Sequence, residues 1–374
     1  MSSWLWALVL GGAVWAAHWG AERLAEPLKK LRRQWGISAA AGGALIGIAS
    51  ASPEIGINVA SALRGVSEIG LGAALGSNVI AIPLVVAVAY WASRKQQLGA
   101  ASGSDPSDRD QKSAGNRGGG GEESGGASSR TGRPDEAERG AAHGRHLESG
   151  VLRMDRAAVR VQALPYLGIL AIFAVLTLPP GWRGLQPLDG WILLGTYGAY
   201  LAQAVLRGRE EREEVGWTTK EVALAVAGVA VLALGAFLTV RATENIVSAL
   251  GIERVVGGLF ITAPMAALPE LFAVWSVVRS GQVTSATTSV IGDHAVTMTV
   301  AFLPLALVTL PVDNLPLFAT VLAFATIMPV AYAAFVHWGG GEHGISLRQV
   351  LAYGGLLLAY VAVMLFGVLG VFGG

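Results

Sequence analysis

Long apolar runs separated by short polar segments dominate the chain. Several of these runs extend for about 20 residues with almost no charge, which is long enough for a helix to cross the roughly 30 Å hydrocarbon core of a bilayer. The runs and the breaks between them predict membrane spans at residues 4–20, 37–63, 67–92, 159–179, 189–206, 219–240, 253–278, 282–309, 314–337 and 347–371. We therefore predict an all-α membrane protein with ten transmembrane helices.

Residues 96–150 depart from this pattern, because they are rich in Gly, Ser and charged residues and almost lack aliphatic ones. Such a segment cannot bury enough apolar surface to offset the entropy lost on ordering, so we predict a disordered linker. The chain then divides into residues 1–95 with spans one to three, the linker, residues 151–210 with spans four and five, and residues 211–374 with the last five spans.

The composition agrees with a membrane protein. Apolar residues make up 53% of the 374 residues and charged residues 14%, whereas soluble domains carry about 25% charged residues. The net charge of +1 gives no indication of nucleic-acid binding. The absence of cysteine excludes disulfides, iron–sulfur clusters and thiol chemistry. The first apolar run has no basic segment ahead of it, so we expect a retained span and not a signal peptide.

The distribution of Lys and Arg predicts the orientation. Of the 27 Lys and Arg residues, 23 follow odd-numbered spans and four follow even-numbered spans. Positive residues accumulate in cytoplasmic loops, so both termini are expected outside and the 96–150 linker in the cytoplasm. We expect an integral protein of a prokaryotic plasma membrane.

The second half of the chain contains a copy of a motif in the first half. Pro53 and Glu54 match Pro269 and Glu270. The same spacing along the chain relates two later pairs of glycines, Gly65 with Gly281 and Gly76 with Gly292. Each half then holds five spans, and an odd number per copy places the copies in opposite orientations. Inverted repeats are typical of secondary transporters, whose ion site lies at the repeat interface near the midplane.

Helix geometry places four polar residues at one depth. From Glu54 to the expected turn at Gly65 the helix rises roughly 16 Å, about half of the hydrocarbon thickness. Ser77 lies almost equally far beyond that turn, so it returns to a similar level. The same arithmetic brings Glu270 and Asp293 together, and the four residues are expected to converge.

The prolines suggest cation chemistry at this level. Each proline lacks an N–H donor, so carbonyl oxygens near Ser50 and Ala266 are expected to lose helical partners. Hard cations such as Ca²⁺ and Na⁺ prefer carbonyl and carboxylate oxygens. Two facing carboxylates could neutralise one Ca²⁺, and they would repel each other when the site is empty. A site that is costly to leave empty suits exchange. The nearby Gly257 and Gly258 are expected to permit close helix packing and not to touch ions.

The paired motifs resemble those of the cation/Ca²⁺ antiporter superfamily, whose best-known branch is the sodium/calcium exchangers. That family has ten spans in two inverted repeats, each with a G-[ST]-S-x-P-E motif and a later G-S-N-x-x-[ND] motif. Here the copies read "ASASPE" and "GSNVIA", then "MAALPE" and "GDHAVT". The resemblance implies that Glu54 and Glu270 are the central Ca²⁺ ligands, helped by the carbonyls of Ser50 and Ala266. It implies a Na⁺-coordinating hydroxyl at Ser77.

Several positions depart from the family pattern. Motif hydroxyls are replaced by Ala51, Ala266 and Ala267, and the later motifs end in Ala81 and Thr297. These losses weaken the case for separate Na⁺ sites. Asp293 stands where the family has serine, followed by His294. A third carboxylate and an adjacent histidine favour proton coupling or a different cation.

The leading hypothesis is a secondary active antiporter that moves Ca²⁺ in exchange for Na⁺ or H⁺ by alternating access, with spans one and six sliding past the rest as the resemblance implies. The alternatives are Na⁺/H⁺ exchange on the same scaffold and a degenerate membrane protein that does not transport. A channel or an enzyme is disfavoured, because no filter-like sequence, nucleophile–base pair or phosphate loop is evident. We expect no cofactor, no nucleic acid and no obligate protein partner. The expected partners are the lipid bilayer and inorganic cations.

Overall fold

The structure is a computed structural model of the 374-residue chain, and it describes residues 3–36, 47–101, 152–153, 156–207, 212–279, 283–338 and 344–370. The first half consists of α1 (Ser3–Gln34), a helical turn at 47–50, α2 (Ser52–Leu63), α3 (Ser67–Ala101), β1 (Leu152–Arg153), α4 (Arg156–Thr177) and α5 (Pro187–Arg207). Most of the predicted linker, residues 102–150, lies outside the described residues.

The second half begins with α6 (Thr219–Leu250) and α7 (Arg254–Gly257). A π-helical turn (Gly258–Thr262) joins α7 to α8 (Ala263–Arg279), and α9 (Val283–Thr297) follows. The remaining elements are a 3₁₀ turn (Val300–Phe302), α10 (Leu303–Leu307), α11 (Leu315–Trp338), β2 (Gly344–Ile345), α12 (Leu347–Ala362) and a π-helical turn (Val363–Val368). Each of the ten predicted ranges therefore contains helical residues.

Three helices extend well past the apolar runs that predict them, and one of them is α6, which ends at Leu250 where the predicted span ends at residue 240. α1 continues to Gln34 because residues 21–34 are rich in Ala, Leu, Glu, Lys and Arg, which are good helix formers. α3 continues to Ala101, past residue 96, where the linker was expected to begin. Hydropathy locates the part of a helix that suits lipid, whereas helix propensity and packing determine where the helix ends.

Six helical segments of the described residues are long and apolar enough to cross a membrane. They are Ser67–Ser93, Thr219–Leu250, Arg254–Arg279, Ser289–Leu307, Leu315–His337 and Leu347–Val368. The most apolar window of Ser67–Ser93 is 83% buried inside the protein, whereas that of Leu347–Val368 is 22% buried. α3 therefore lies at the centre of the bundle, and α12 lies at its periphery.

α1 and α6 approach each other closely through glycines. A side chain at Gly20 would collide with the carbonyl oxygen of Gly228. A Cβ at Gly235 would lie 2.6 Å from the backbone nitrogen of Ala17. Small residues at a helix interface let two backbones pack directly, which is a common way to join helices in membranes.

α3 packs in the same manner against the segment that leads into α8. A side chain at Gly72 would collide with the carbonyl oxygen of Val255, and one at Gly258 would collide with that of Ile69. Gly258 was expected to permit close helix packing, and the structure confirms this. The contact joins the two helices that carry the "GSN" motif and the second proline–glutamate motif.

Ion pairs mark the two ends of α6. Lys30 of α1 pairs with Glu221 near the first residue of α6, and Arg64 pairs with Glu244 near its last, at 2.6 Å. Glu221 and Glu244 are separated by roughly 35 Å along the helix. Partly exposed pairs of this kind contribute about 0–1 kcal/mol each, so they orient the helix ends more than they stabilise the bundle.

Segments between helices also pair with each other. β1, which follows α3, forms an antiparallel pair with β2, which follows α11. Leu185, which follows α4, forms an isolated bridge with Leu310, which follows α10. Loops that follow odd-numbered predicted spans thus meet one another, and so do loops that follow even-numbered ones.

We predict that Gly20→Ala destabilises the protein by about 1–3 kcal/mol, because the new methyl group forces the α1 and α6 backbones apart. Gly12→Ala on the same helix is the matched control, since no atom lies within 4 Å of a Cβ built there. The measurement is thermal unfolding of the purified variants. Equal melting temperatures for the two variants would contradict close packing at Gly20.

Candidate cation site

The first proline–glutamate motif lies where a helix is interrupted. The helical residues 47–50 end at Ala51, and α2 begins at Ser52. Pro53 occupies the first turn of α2, where a missing N–H costs the helix nothing. The carbonyl oxygen of Ala49 would accept from residue 53 in a continuous helix, and here it accepts from the Ser52 hydroxyl at 2.7 Å. The motif thus satisfies one freed carbonyl itself.

The second copy is built differently. Pro269 lies inside α8, which runs without interruption from Ala263 to Arg279. The irregularity instead precedes α8, in the π-helical turn Gly258–Thr262. Ala266 therefore lies inside a continuous helix, and the predicted loss of helical partners by carbonyls near it stays a prediction. A helix can absorb one proline locally when the adjacent turn adjusts.

The structure brings together the three predicted carboxylates. Asp293 interacts electrostatically with both Glu54 and Glu270, and the two glutamates also interact with each other. Asp293 is only 6% exposed, and both glutamates are half-buried. The three side chains come from α2, α8 and α9, so the cluster joins both halves of the chain. Mutual repulsion in this setting is relieved by a cation or by protons.

Ser50 connects the two halves directly. Its hydroxyl donates a hydrogen bond of 2.8 Å to the Oδ1 atom of Asp293. The adjacent backbones are also close, since a Cβ at Gly47 would lie 3.1 Å from the carbonyl oxygen of Gly292. The sequence pointed to the Ser50 carbonyl, whereas the structure shows a contact through its side chain. The carbonyl role stays a prediction.

Ser77 and Ala266 are less clearly part of the cluster. The Ser77 hydroxyl donates to the carbonyl of Ala74 in its own helix at 3.0 Å. Among the residues that the structure describes, no hydrogen bond joins the Ser77 hydroxyl to a carboxylate. Ala266 is half-buried in α8. Ion coordination by either residue remains a prediction.

The imidazole ring of His294 is buried in the protein. It is 1% exposed, and neither ring nitrogen has a partner within the described part of the chain. Its ring lies against Tyr166, with 5.9 Å between the ring centroids. Within the described residues there is thus no hydrogen-bonded path from His294 to Asp293.

Two polar residues near the carboxylates were missed by sequence reasoning. Tyr166 of α4 donates to the Oδ1 atom of Asn78 at 2.7 Å. Asn58 of α2 donates through Nδ2 to the carbonyl of Ala301 at 2.7 Å. Asn58 could have been found, because it lies one helical turn after Glu54 and therefore on the same face of a helix. Tyr166 carries no comparable signal.

The described residues contain no group of three or more His, Asp or Glu side chains arranged tightly enough to hold a metal ion. The three carboxylates are thus close enough to interact electrostatically, but they do not form such a group. Elsewhere, a cavity of about 570 Å³ is lined by Glu68, Glu253 and Asp313, with apolar residues of α3 and α11. None of the three clustered carboxylates lines that cavity.

Comparison with known proteins gives one family. The model of the family described as "Sodium/calcium exchanger protein" matches residues 4–101 and 220–372. No curated protein sequence matches the chain.

Solved structures with a similar fold include exchangers of two kinds. The sodium–calcium exchanger NCX_Mj, soaked with 2.5 mM Na⁺ and 10 mM Sr²⁺, is 19% identical with a TM-score of 0.58, covering 96% of this chain and 99% of that one. The same protein soaked with 100 mM Na⁺ and 10 mM Sr²⁺ gives a TM-score of 0.56 at 19% identity, with 96% of each chain covered. The H⁺/Ca²⁺ exchanger CAX is 15% identical with a TM-score of 0.63, covering 97% of this chain and 81% of that one.

We predict that Ser52→Ala destabilises the protein by about 1 kcal/mol, because it leaves the buried Ala49 carbonyl without a donor. Adding Pro53→Ala should recover most of this loss, since the new backbone N–H can donate to that carbonyl. Thermal unfolding of both variants measures the effect.

Ser93→Ala serves as the control, because the Ser93 hydroxyl donates to the Tyr90 carbonyl within an uninterrupted helix. We expect a smaller loss there. If the double variant Ser52→Ala/Pro53→Ala is as unstable as Ser52→Ala alone, the proposed role of Ser52 is wrong.

Proposed function

Because the chain belongs to the sodium/calcium exchanger protein family, we propose that it is a secondary active antiporter that moves Ca²⁺ in exchange for Na⁺ or H⁺ by alternating access. The observation that carries this proposal is the interaction of Glu54, Glu270 and Asp293 across the two halves of the chain. The activity is transport through a membrane and not enzymatic catalysis.

We also propose that the helices form ten spans arranged as two inverted five-helix repeats. Helical residues in all ten predicted ranges support this arrangement. The loop contacts also support it, because β1 and β2 both follow odd-numbered predicted spans, and Leu185 and Leu310 both follow even-numbered ones. In such an arrangement odd-numbered loops share one membrane side. The bias of Lys and Arg then puts that side in the cytoplasm and both termini outside.

The carboxylate cluster explains why one ion would cross the membrane only in exchange for another and would not leak through alone. Three acidic side chains held close together inside the membrane repel one another when all are ionised. A bound Ca²⁺, bound Na⁺ ions or protons each remove part of this repulsion. The form with no bound cation or proton is therefore high in free energy. The protein then switches between its outward-facing and inward-facing states mainly when the site is occupied. This is the property that couples the movement of two ions.

The close α1–α6 contact supports a division into a moving and a fixed part. The two helices meet through Gly20 and Gly228 with almost no side chains between them. We propose that they move as one unit past the helices that carry the carboxylates. Lys30 and Glu221 pair within this unit, whereas Arg64 and Glu244 pair across its boundary.

Asp293 supports a proposal for the coupling ion. The family pattern has a hydroxyl at this position, and here a carboxylate accepts a hydrogen bond from Ser50. A carboxylate can take up and release a proton, whereas a serine hydroxyl keeps its proton throughout the same pH range. We propose H⁺ as the coupling ion that Asp293 favours. The same feature supports Na⁺/H⁺ exchange as a second candidate function.

We predict that Glu54→Gln and Glu270→Gln each reduce Ca²⁺ transport to background, because an amide cannot supply the negative charge that holds the ion. The measurement is ⁴⁵Ca²⁺ uptake into proteoliposomes under an imposed Na⁺ gradient and, separately, under an imposed pH gradient. Glu26→Gln is the matched control, since the Glu26 side chain is 70% exposed and pairs with nearby Lys29. Wild-type rates in either well-folded site variant would overturn the assigned site.

We predict that Asp293→Ser shifts the coupling from H⁺ toward Na⁺, because it restores the hydroxyl of the family motif and removes a proton carrier. The ratio of Na⁺-driven to pH-driven ⁴⁵Ca²⁺ uptake should rise in this variant. Asp313→Ser, at an exposed position between α10 and α11, should leave the ratio unchanged. An unchanged ratio in Asp293→Ser would show that Asp293 does not select the coupling ion.

A further inference from the structure

Tyr166 lies between the two helices that carry the later motifs. Its side chain comes from α4, outside both motifs, and is fully buried. Its hydroxyl donates to Asn78 of α3 at 2.7 Å, and its ring lies 5.9 Å from the ring of His294 in α9. It also interacts electrostatically with Asp293. One side chain thus contacts both halves of the chain beside the carboxylate cluster.

The two partners of Tyr166 occupy equivalent positions in the repeats. Asn78 and His294 are separated by the same distance along the chain as the two glutamates of the proline–glutamate motifs. Each directly follows a predicted ion ligand, Ser77 in one copy and Asp293 in the other. A side chain that fixes Asn78 and His294 therefore also fixes the backbone that carries those two ligands.

Both polar atoms of the Asn78 side-chain amide have hydrogen-bond partners. Its Nδ2 atom donates to the carbonyl of Ala74 at 2.7 Å, while its Oδ1 atom accepts from Tyr166. Asn78 is itself fully buried, so no solvent could replace the phenolic donor. The contact on the other side is different, because His294 meets Tyr166 through ring packing.

We propose that Tyr166 is a positioning residue that sets the distance between the two later motifs and thereby the cation affinity of the site. This inference rests on the proposed antiport function. The hydroxyl of Tyr166 fixes α3 through Asn78, and its ring supports α9 through His294. Tyr166 would touch neither the ion nor the moving α1–α6 unit, so it governs how tightly the ion is held more than how fast access changes.

The test is Tyr166→Phe, which keeps the ring against His294 and removes only the donor to Asn78. A buried acceptor left unpaired is costly, so we expect the half-saturating Ca²⁺ concentration to rise roughly fivefold or more. The maximal transport rate should change by less than about twofold, because the carboxylates and the α1–α6 contact are intact.

Tyr353→Phe is the matched control. Tyr353 is also fully buried, and its hydroxyl donates at 3.1 Å to the Met328 carbonyl, in a contact between α12 and α11. This variant loses a comparable bond and should lose comparable thermal stability, with an unchanged half-saturating Ca²⁺ concentration. Equal shifts of that concentration in both variants would show a general loss of stability and would overturn the positioning role.

The double variant Tyr166→Phe/Asn78→Ala isolates the hydrogen bond. If Tyr166 acts through Asn78, Tyr166→Phe should weaken Ca²⁺ binding strongly in the wild-type background and hardly at all once Asn78 is alanine. Fully additive effects would contradict the proposed link between the two residues.

Binding and transport are to be measured separately. Ca²⁺-dependent stabilisation against heat reports binding, and ⁴⁵Ca²⁺ uptake reports transport. If the wild-type protein binds Ca²⁺ without transporting it, the antiport function fails, and weaker binding by Tyr166→Phe still supports the positioning role. If the wild type does both and Tyr166→Phe binds normally, only the positioning role fails. If the wild type does neither, both are overturned.

Discussion

Repulsion between carboxylates inside a membrane is the constraint on which the rest of the structure depends. Glu54, Glu270 and Asp293 interact with one another within the bundle, where uncompensated charge costs several kcal/mol. A helix bundle that contains such a cluster must hold the carboxylates in a defined geometry. Their negative charge must also be compensated by cations or by protons. The hydrogen bond from Ser50 to Asp293 meets part of the first need, because it gives one carboxylate a fixed partner from the other half of the chain.

Close backbone contacts surround the carboxylate cluster. Gly72 and Gly258 bring α3 directly against the segment before α8, and Tyr166 spans from α3 to α9. These contacts hold together the helices that carry the site. The α1–α6 pair is joined by its own glycine contacts, and α6 also packs against α2, where a Cβ at Gly56 would lie 2.9 Å from the Cβ of Ala236.

Much of this arrangement was accessible from the sequence because it repeats. Every predicted apolar range contains helical residues, and the constant spacing between the two copies pointed to Glu54, Glu270 and Asp293, whose chemistry is visible in the residue type itself. The roles of Ser52 and Tyr166 could not be found in this way. Each depends on a hydrogen bond whose partner is set by local backbone geometry or by helix packing. The two prolines also look equivalent in sequence, yet Pro53 lies at a helix start and Pro269 lies inside a helix.

The most direct test of a shared cation site is to locate the bound ion. Crystals of the protein grown with Sr²⁺, which scatters anomalously, would show the ion position independently of any transport assay. We expect one strong anomalous peak among the carboxylates of Glu54, Glu270 and Asp293, lost in Glu270→Gln. A peak instead in the cavity lined by Glu68, Glu253 and Asp313, or no peak at a saturating Sr²⁺ concentration, would contradict the assignment of the cluster as the cation site.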